Sequence, residues 1–314
     1  MKLLLLYINF LVCFSALLDE IRKEVVDQAL LKLPKRERID ILKIFLAMSN
    51  AKEDYLMTDD EIAYFAYKWI GQNIEIDCLG NKFGNSTTLP TTTYKKGKGG
   101  EIGISELFNM ICVFLNIETS NIFGVKKTFT RNFLILLIYL KLINIHISID
   151  NKYYLLDVTS GIGICSGTNF YKRQKDDYFG IDPELSIRHL FPNDKEWQLL
   201  SKPITEDQFS SQAILDEGFF KYFNKITPDI ETIKEQTKVT LTLKDPKIEK
   251  MYIRDCFEIR NDSVVLVSMG EEAKIINGTC EFTIRPFRSG YAYLEVSDDN
   301  NNYYKVLSYG VYLS

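Results

Sequence analysis

The chain has 314 residues, 46% of them apolar and 25% charged, which is enough for two hydrophobic cores and too apolar for a disordered protein. Its formal net charge of −4 and isoelectric point near 5.5 give no long-range attraction to nucleic acid or anionic lipid. The densest basic cluster, Lys95, Lys96 and Lys98, reads as a solvated loop.

The chain opens with the layout of a secretory signal peptide. Lys2 precedes an apolar run from Leu3 to Phe14, and Ser15 and Ala16 supply small residues ahead of Asp19 and Glu20. The run is too short to span a bilayer stably, so residues 1–16 are expected to direct export and then be removed. A secreted protein, or one in the secretory pathway, follows. Removal would take Cys13 and leave Cys78, Cys112, Cys165, Cys256 and Cys280, an odd set with at least one thiol lacking an internal partner.

Residues 17–57 read as an N-terminal helical segment. Ile21, Val25, Ala29 and Leu33 mark one face, Pro34 breaks the pattern, and Ile39, Leu42, Phe45 and Leu46 resume it. Thr58-Asp59-Asp60-Glu61 is a capping box, and the helix it opens aligns Ile62, Phe65, Ala66, Trp69 and Ile70. A loop rich in Gly, Asn, Thr and Lys runs from Gly80 to Gly100. Ile104, Leu107, Phe108, Ile111 and Leu115 then set a second amphipathic helix.

Two apolar runs, Asn132 to Ile149 and Tyr153 to Val158, flank Asp150-Asn151-Lys152 and read as a hairpin. Lys141 and Asn144 interrupt the first run short of the ~20 residues a membrane helix needs, so no stable membrane insertion is expected. After Pro203, Gln208 to about Gln236 reads as helix, with residues 211–236 linking to the last domain. From 237 to 314 the texture changes. Val239, Leu241 and Leu243 alternate with polar residues, as do parts of Val264 to Val267, Glu281 to Ile284 and Tyr291 to Val296, the pattern of an antiparallel, immunoglobulin-like β-sandwich.

Cys256 and Cys280 lie in two of these strand-like segments and are the expected disulfide in an oxidising compartment. Export also gives meaning to three N-glycosylation triplets, which make Asn85, Asn261 and Asn277 candidate acceptors. No cysteine pair has zinc spacing, and His146 and His189 are the only histidines, so neither a metal nor another cofactor is expected. Gly97-Lys98-Gly99-Gly100 is neither a dinucleotide fingerprint nor a P-loop.

Lys96-Gly97-Lys98-Gly99-Gly100-Glu101-Ile102-Gly103-Ile104-Ser105-Glu106-Leu107-Phe108, followed by Tyr153-Tyr154-Leu155-Leu156-Asp157-Val158-Thr159, resembles the transglutaminase-like superfamily, particularly the kyphoscoliosis peptidase-like branch. Trp69-Ile70-Gly71-Gln72-Asn73, Asp182-Pro183-Glu184, His189-Leu190-Phe191-Pro192 and Trp197-Gln198-Leu199-Leu200 are similar to flanking segments of that branch. The resemblance implies an α+β fold with a transglutaminase-like (papain-like) core at residues 58–210, between the N-terminal helices and the sandwich. It also implies a Cys nucleophile opening a helix, a His on a strand and an Asp ending the partner strand.

At those positions the chain departs from the family. Glu101 stands at the Cys position and Leu142 at the His position; Asp157 is retained, and Ser160 replaces the family's Trp. A helix N-terminus tolerates the Glu101 carboxylate for the reason it would stabilise a thiolate, but the nucleophile is gone. His146 shares a strand face with Leu142 by period two, so a slipped register would bring it nearer Asp157. Cys112, about 16 Å along the helix from Glu101, reads as a buried structural thiol, and His189 as a capping or packing residue. The leading expectation is a pseudoenzyme that binds a protein or peptide. The alternative is a cysteine peptidase or protein-glutamine transferase using His146 and Asp157 with a displaced thiol such as Cys78 or Cys165.

Overall fold

A computed structural model describes residues 17, 21–36, 40–129, 135–230, 232–259, 263–266, 271–285, 290–299 and 301–311. The expected signal peptide at 1–16, the acceptor Asn261 and the side chain of Leu142 lie outside the described positions. The protein mixes helix and sheet and divides into two compact units. The first comprises the chain to Gly124 together with Leu142–Pro183, and the second Val125–Lys141 with Glu184–Ser314.

The first unit runs through α1 (Lys23–Lys32), α2 (Ile41–Asp54), α3 (Asp59–Asn73), β1 (Glu75–Ile76), α4 (Cys78–Phe83), α5 (Pro90–Lys96), β2 (Lys98–Gly99) and α6 (Glu101–Phe114). Then come β3 (Glu118–Phe129), β4 (Ile135–Ile149), β5 (Lys152–Leu156), α7 (Val158–Ile162), β6 (Gly163–Ser166), β7 (Asn169–Lys172) and β8 (Phe179–Ile181). The far parts of β3 and the near part of β4 belong to the second unit. β8, β5, β4 and β3 lie side by side in that order.

α3 is the central helix. Glu61 reaches back so that its Oε2 accepts from Thr58 N at 3.1 Å, the expected N-terminal cap. Ile62 through Tyr67, with Trp69 and Ile70, are all buried, so the helix is enclosed nearly all round. Val26, Ala29 and Leu30 of α1 and Ile44, Phe45 and Met48 of α2 join the same apolar cluster as α3 and α6. Leu17, Ile21, Ala51 and Met57 contribute to this core as well. Leu42 and Leu46, expected on the buried face of α2, are exposed, because the helix turns Ile44, Phe45, Met48 and Ala51 inward instead. Arg22 fixes the attachment: its Nε and Nη2 donate to Glu61 Oε1 and Oε2 at 2.6 and 2.7 Å, and its backbone N donates to Oε1 at 3.0 Å.

The expected hairpin forms between β4 and β5. Asp150 and Asn151 both have positive φ, 50° and 61°, the conformation of a two-residue turn whose twist matches the strands. One disulfide is present, between Cys78 at the start of α4 and Cys165 on β6, with Cα atoms 5.6 Å apart.

The second unit contains α8 (Pro183–Ser186), β9 (Leu190–Pro192), α9 (Glu206–Ser211), β10 (Ile214–Leu215), α10 (Glu217–Tyr222), β11 (Phe223–Thr227) and β12 (Thr232–Ile233). Beyond these lie β13 (Thr237–Leu243), β14 (Tyr252–Ile259), β15 (Ser263–Leu266), β16 (Glu271–Glu272), β17 (Lys274–Ile276), β18 (Thr279–Ile284), β19 (Gly290–Ser297) and β20 (Tyr304–Val311). One sheet follows β10-β20-β19-β14-β15, with β12 on β20 and β16 on β14; the other follows β11-β13-β18-β17. Val239, Leu241, Cys280 and Ile284 from one sheet and Ile253, Leu294, Val306 and Tyr309 from the other share one buried cluster. Two sheets thus enclose a single core.

Two expectations fail here. Gln208–Gln236 is not a continuous helix: short helices alternate with β10, β11 and β12. Phe219, Tyr222, Phe223 and Ile226 have helical spacing, but a register shift between Phe223 and Lys225 lets both Phe223 and Ile226 of a strand face the core. Nor are Cys256 and Cys280 bonded. Both are free and buried, on strands of different sheets. Cys280 faces the shared core, while Cys256 is absent from that cluster and lies 3.7 Å from Glu295 Oε2, on the strand face opposite Ile253.

Candidate functional site

Helix α6 begins beside a short parallel strand pair. β1 and β2 pair in parallel, with Glu75 N donating to Gly97 O at 2.9 Å and Asp77 N to Gly99 O at 2.8 Å. Gly100 is the N-cap; its N–H donates to Thr87 O at 3.2 Å, and its carbonyl accepts from Ile104 N at 3.0 Å. The loop before α5 presses on this start so closely that a Cβ on Gly103 would stand 2.5 Å from both Thr87 O and Thr93 Oγ1. Glycine is needed there for room. Glu101 is the first residue of the helix and is half-buried, where unpaired amides favour an anion.

Asp157 follows the last residue of β5 and caps α7. Its Oδ1 accepts from Thr159 Oγ1 at 2.8 Å and Ser160 N at 2.9 Å, and its Oδ2 from Ser160 Oγ at 2.6 Å. Thr159 and Ser160 thus both engage the carboxylate. Tyr67 of α3 lies within reach of the Asp157 charge: burial first, and then that charge, push its phenol far above the ordinary value, and its hydroxyl donates to Lys175 O. Nothing in the sequence pattern marked Tyr67 beyond its place on a buried helix.

His146 lies on β4, which pairs antiparallel with β5. The register pairs Ile145 with Leu156, His146 with Leu155 and Ile147 with Tyr154. Ile145, Ile147, Tyr154 and Leu156 belong to the core built on α3 and α6, so strand alternation puts His146 on the opposite face of the sheet. There its ring meets Tyr153 edge-on at 5.4 Å. Burial pushes its pKa down, and the opposing charge is Glu118, not Asp157. Leu142 lies in β4. His189 belongs to the second unit, where its Nε2 lies 2.8 Å from Leu215 O; burial lowers its pKa as well.

The candidate thiols are also accounted for. Cys78 and Cys165, the displaced nucleophiles of the enzymatic alternative, are bonded to each other. Cys112 is fully buried in α6, and desolvation pushes its thiol well up; Cys256 and Cys280 are pushed up to about 12, chiefly by burial. Among the described residues no group of His, Cys, Asp and Glu is placed to hold a metal ion, and no helix is long and apolar enough to cross a membrane.

What surrounds Glu101 is suited to contact. Ile102 beside it is exposed, as are Leu89 in the loop and Leu79 and Phe83 on α4. On the outer side of α6, Asn109 Nδ2 donates to Asn121 Oδ1 at 2.9 Å, Asn121 Nδ2 to Glu106 Oε1 at 2.5 Å and Thr119 Oγ1 to Asn109 Oδ1 at 2.8 Å, a network that ties the helix to β3. The arrangement places a half-buried carboxylate at a helix start, followed in the chain by the exposed Ile102. Compared with models of known protein families and with curated protein sequences, the chain gives no match.

Proposed function

We propose that this is a secreted protein with a transglutaminase-like first unit that performs no acyl transfer and acts by binding a polypeptide. The observation that carries this reading is what occupies the reactive positions. A carboxylate starts α6, the Asp157 carboxylate is engaged by Thr159 and Ser160, and His146 is on the other face of the sheet from the core that holds α6. A carboxylate is a poor nucleophile toward an unactivated amide, and a base that cannot reach the reacting group cannot assist it. The Cys78–Cys165 bond supports export, since such bonds persist in oxidising compartments.

The test has two arms. Purified protein is incubated with peptides carrying Gln and Lys, and with iodoacetamide under native conditions; neither cleavage, crosslinking nor rapid alkylation is expected. Activity that disappears in Asp157→Ala would refute the pseudoenzyme reading. In the second arm, peptides selected from a random display library are titrated by calorimetry against the wild type and Glu101→Lys. Binding weakened at least tenfold by the charge reversal is expected; failure of the library to yield any ligand, or ligands indifferent to the reversal, would refute binding at this site.

A further inference from the structure

We infer that Asn85 carries an N-linked glycan whose first sugar rests on the ring of Phe83. Five consecutive residues, Phe83-Gly84-Asn85-Ser86-Thr87, hold both the acceptor and an exposed aromatic. Phe83 is 67% exposed, although it is among the largest apolar side chains of the first unit. Helix α4 ends there in a defined way: Gly84 takes φ 70°, its N–H donates to Asn81 O at 3.3 Å, and Asn85 N donates to Gly80 O at 2.8 Å. These two bonds are the six-to-one and five-to-two closure of a helix C-terminus, which reverses the chain immediately after the ring. Asn85 is exposed and its Cα lies within about 7 Å of that of Phe83, the reach of two residues.

The chemistry of the partner fits the ring. A pyranose presents one face of axial C–H bonds, weakly positive, to the negative face of an aromatic ring, and an N-acetylglucosamine attached two residues away can reach it. Lys82 Nζ lies 5.8 Å from the Phe83 centroid, at the outer limit of a cation–π contact, which leaves the other face of the ring to the sugar. The other described acceptor lacks such a platform. Asn277 sits in the tight turn between β17 and β18 with φ 51°, and Thr279 Oγ1 of its triplet donates to Ile276 O at 2.6 Å. Residues 86 and 87 of the Asn85 triplet pack against Gly100, so the glycan would stand at the edge of the α6 start beside Glu101. The inference rests on the export reading for access to the modifying machinery. In the transfer, Asn85 Nδ2 forms a bond to C1 of a lipid-pyrophosphate-linked oligosaccharide, loses a proton, and the C1–O bond breaks with its electron pair leaving on the lipid pyrophosphate.

The full chain is expressed in a glycosylating eukaryotic cell, once with its own N-terminus and once preceded by a cleavable signal sequence, which separates export by the chain itself from modification at Asn85. Glycopeptide mass spectrometry is expected to find Asn85 occupied, and Asn85→Gln to remove that mass. Phe83→Ala should lower the melting temperature by about 2–4 °C in the glycosylated protein and not in the Asn85→Gln background. Trimming the glycan to a single N-acetylglucosamine should preserve the difference, and enzymatic removal of the whole glycan should abolish it, so the outcome does not depend on Asn85→Gln folding well. Secreted protein with Asn85 unmodified, or a Phe83→Ala shift identical with and without the sugar, would overturn the inference. Glycosylation seen only with the added signal would sink the export reading and leave the platform standing.

Discussion

The clasp between Arg22 and Glu61 should dominate the acid response of the first unit. Glu61 is 2% exposed in its side chain, yet ionised, because Arg22 hydrogen bonds hold its carboxyl down from about 4.5 to about 2, against the opposing cost of burial. Since the folded-state pKa lies below the unfolded one, the stabilisation is complete above about pH 4.5 and is lost as pH falls toward 2. Taken at full value the displacement amounts to about 3 kcal/mol, but Arg22 is 47% exposed and water screens the pair, so about 1.5 kcal/mol is the expected effect at Glu61. Glu61→Gln keeps the shape and an acceptor for Thr58 N while removing the charge. With Trp197→Phe as background, Trp69 alone reports the first unit. The urea midpoint followed by its fluorescence should drop by about 0.7 M at pH 7, for an m-value of roughly 2 kcal/mol/M. The gap should narrow as pH falls and be small by about pH 2, where the wild-type carboxyl is about half protonated in the folded state. Equal midpoints at pH 7, or a gap that persists undiminished at pH 2, would refute the argument.

Reduction of Cys78–Cys165 reopens a loop spanning 87 residues of sequence, and the loop-entropy relation puts its stabilisation at about 4.6 kcal/mol; Cys165→Ser should melt well below the wild type, whereas Cys256→Ser should leave the non-reduced peptide map unchanged. Gly103→Ala must displace the Thr87 carbonyl or Thr93, at a cost of about 1–3 kcal/mol read in thermal denaturation, while Gly167→Ala, with nothing near its Cβ position but φ 62°, should cost less. Only two histidines contribute to a ring-proton NMR titration, and burial should hold both below the usual 6.5; because the unfolded chain takes up the protons first, stability should decline as pH falls below that value. A histidine titrating above 6.5 in the folded protein would contradict the burial described for it.

Local signals were the readable part of this sequence. Thr58 to Glu61 states a helix start in four residues, and Asp150-Asn151 states a turn in two, because both depend on hydrogen bonds and dihedrals of near neighbours. The face on which His146 lies was not readable from its own strand, since period two relates it to Leu142 but does not say which face meets α6. That choice is made by Ile145 and Ile147, which outnumber the histidine in apolar area and take the core side. The expected Cys256–Cys280 bond fails for a related reason: strand texture puts both residues in one sandwich, whereas bonding depends on which way each side chain points. Cys78 and Cys165 carry no shared local pattern, and only the fold brings them together. At Phe219 to Ile226 a bulge imitates helical spacing, and no count of apolar intervals separates the two.

The chain leaves the first unit at Gly124, returns at Leu142 and departs again at Pro183. No single cut can therefore liberate either half intact: a truncation at Pro183 would carry Val125–Lys141 stripped of its later neighbours, and a fragment starting at Glu184 would lack those same residues. During synthesis the earlier-made stretch 125–141 must wait for sequence not yet translated before its own unit can close, so maturation of the two halves is coupled by threading alone.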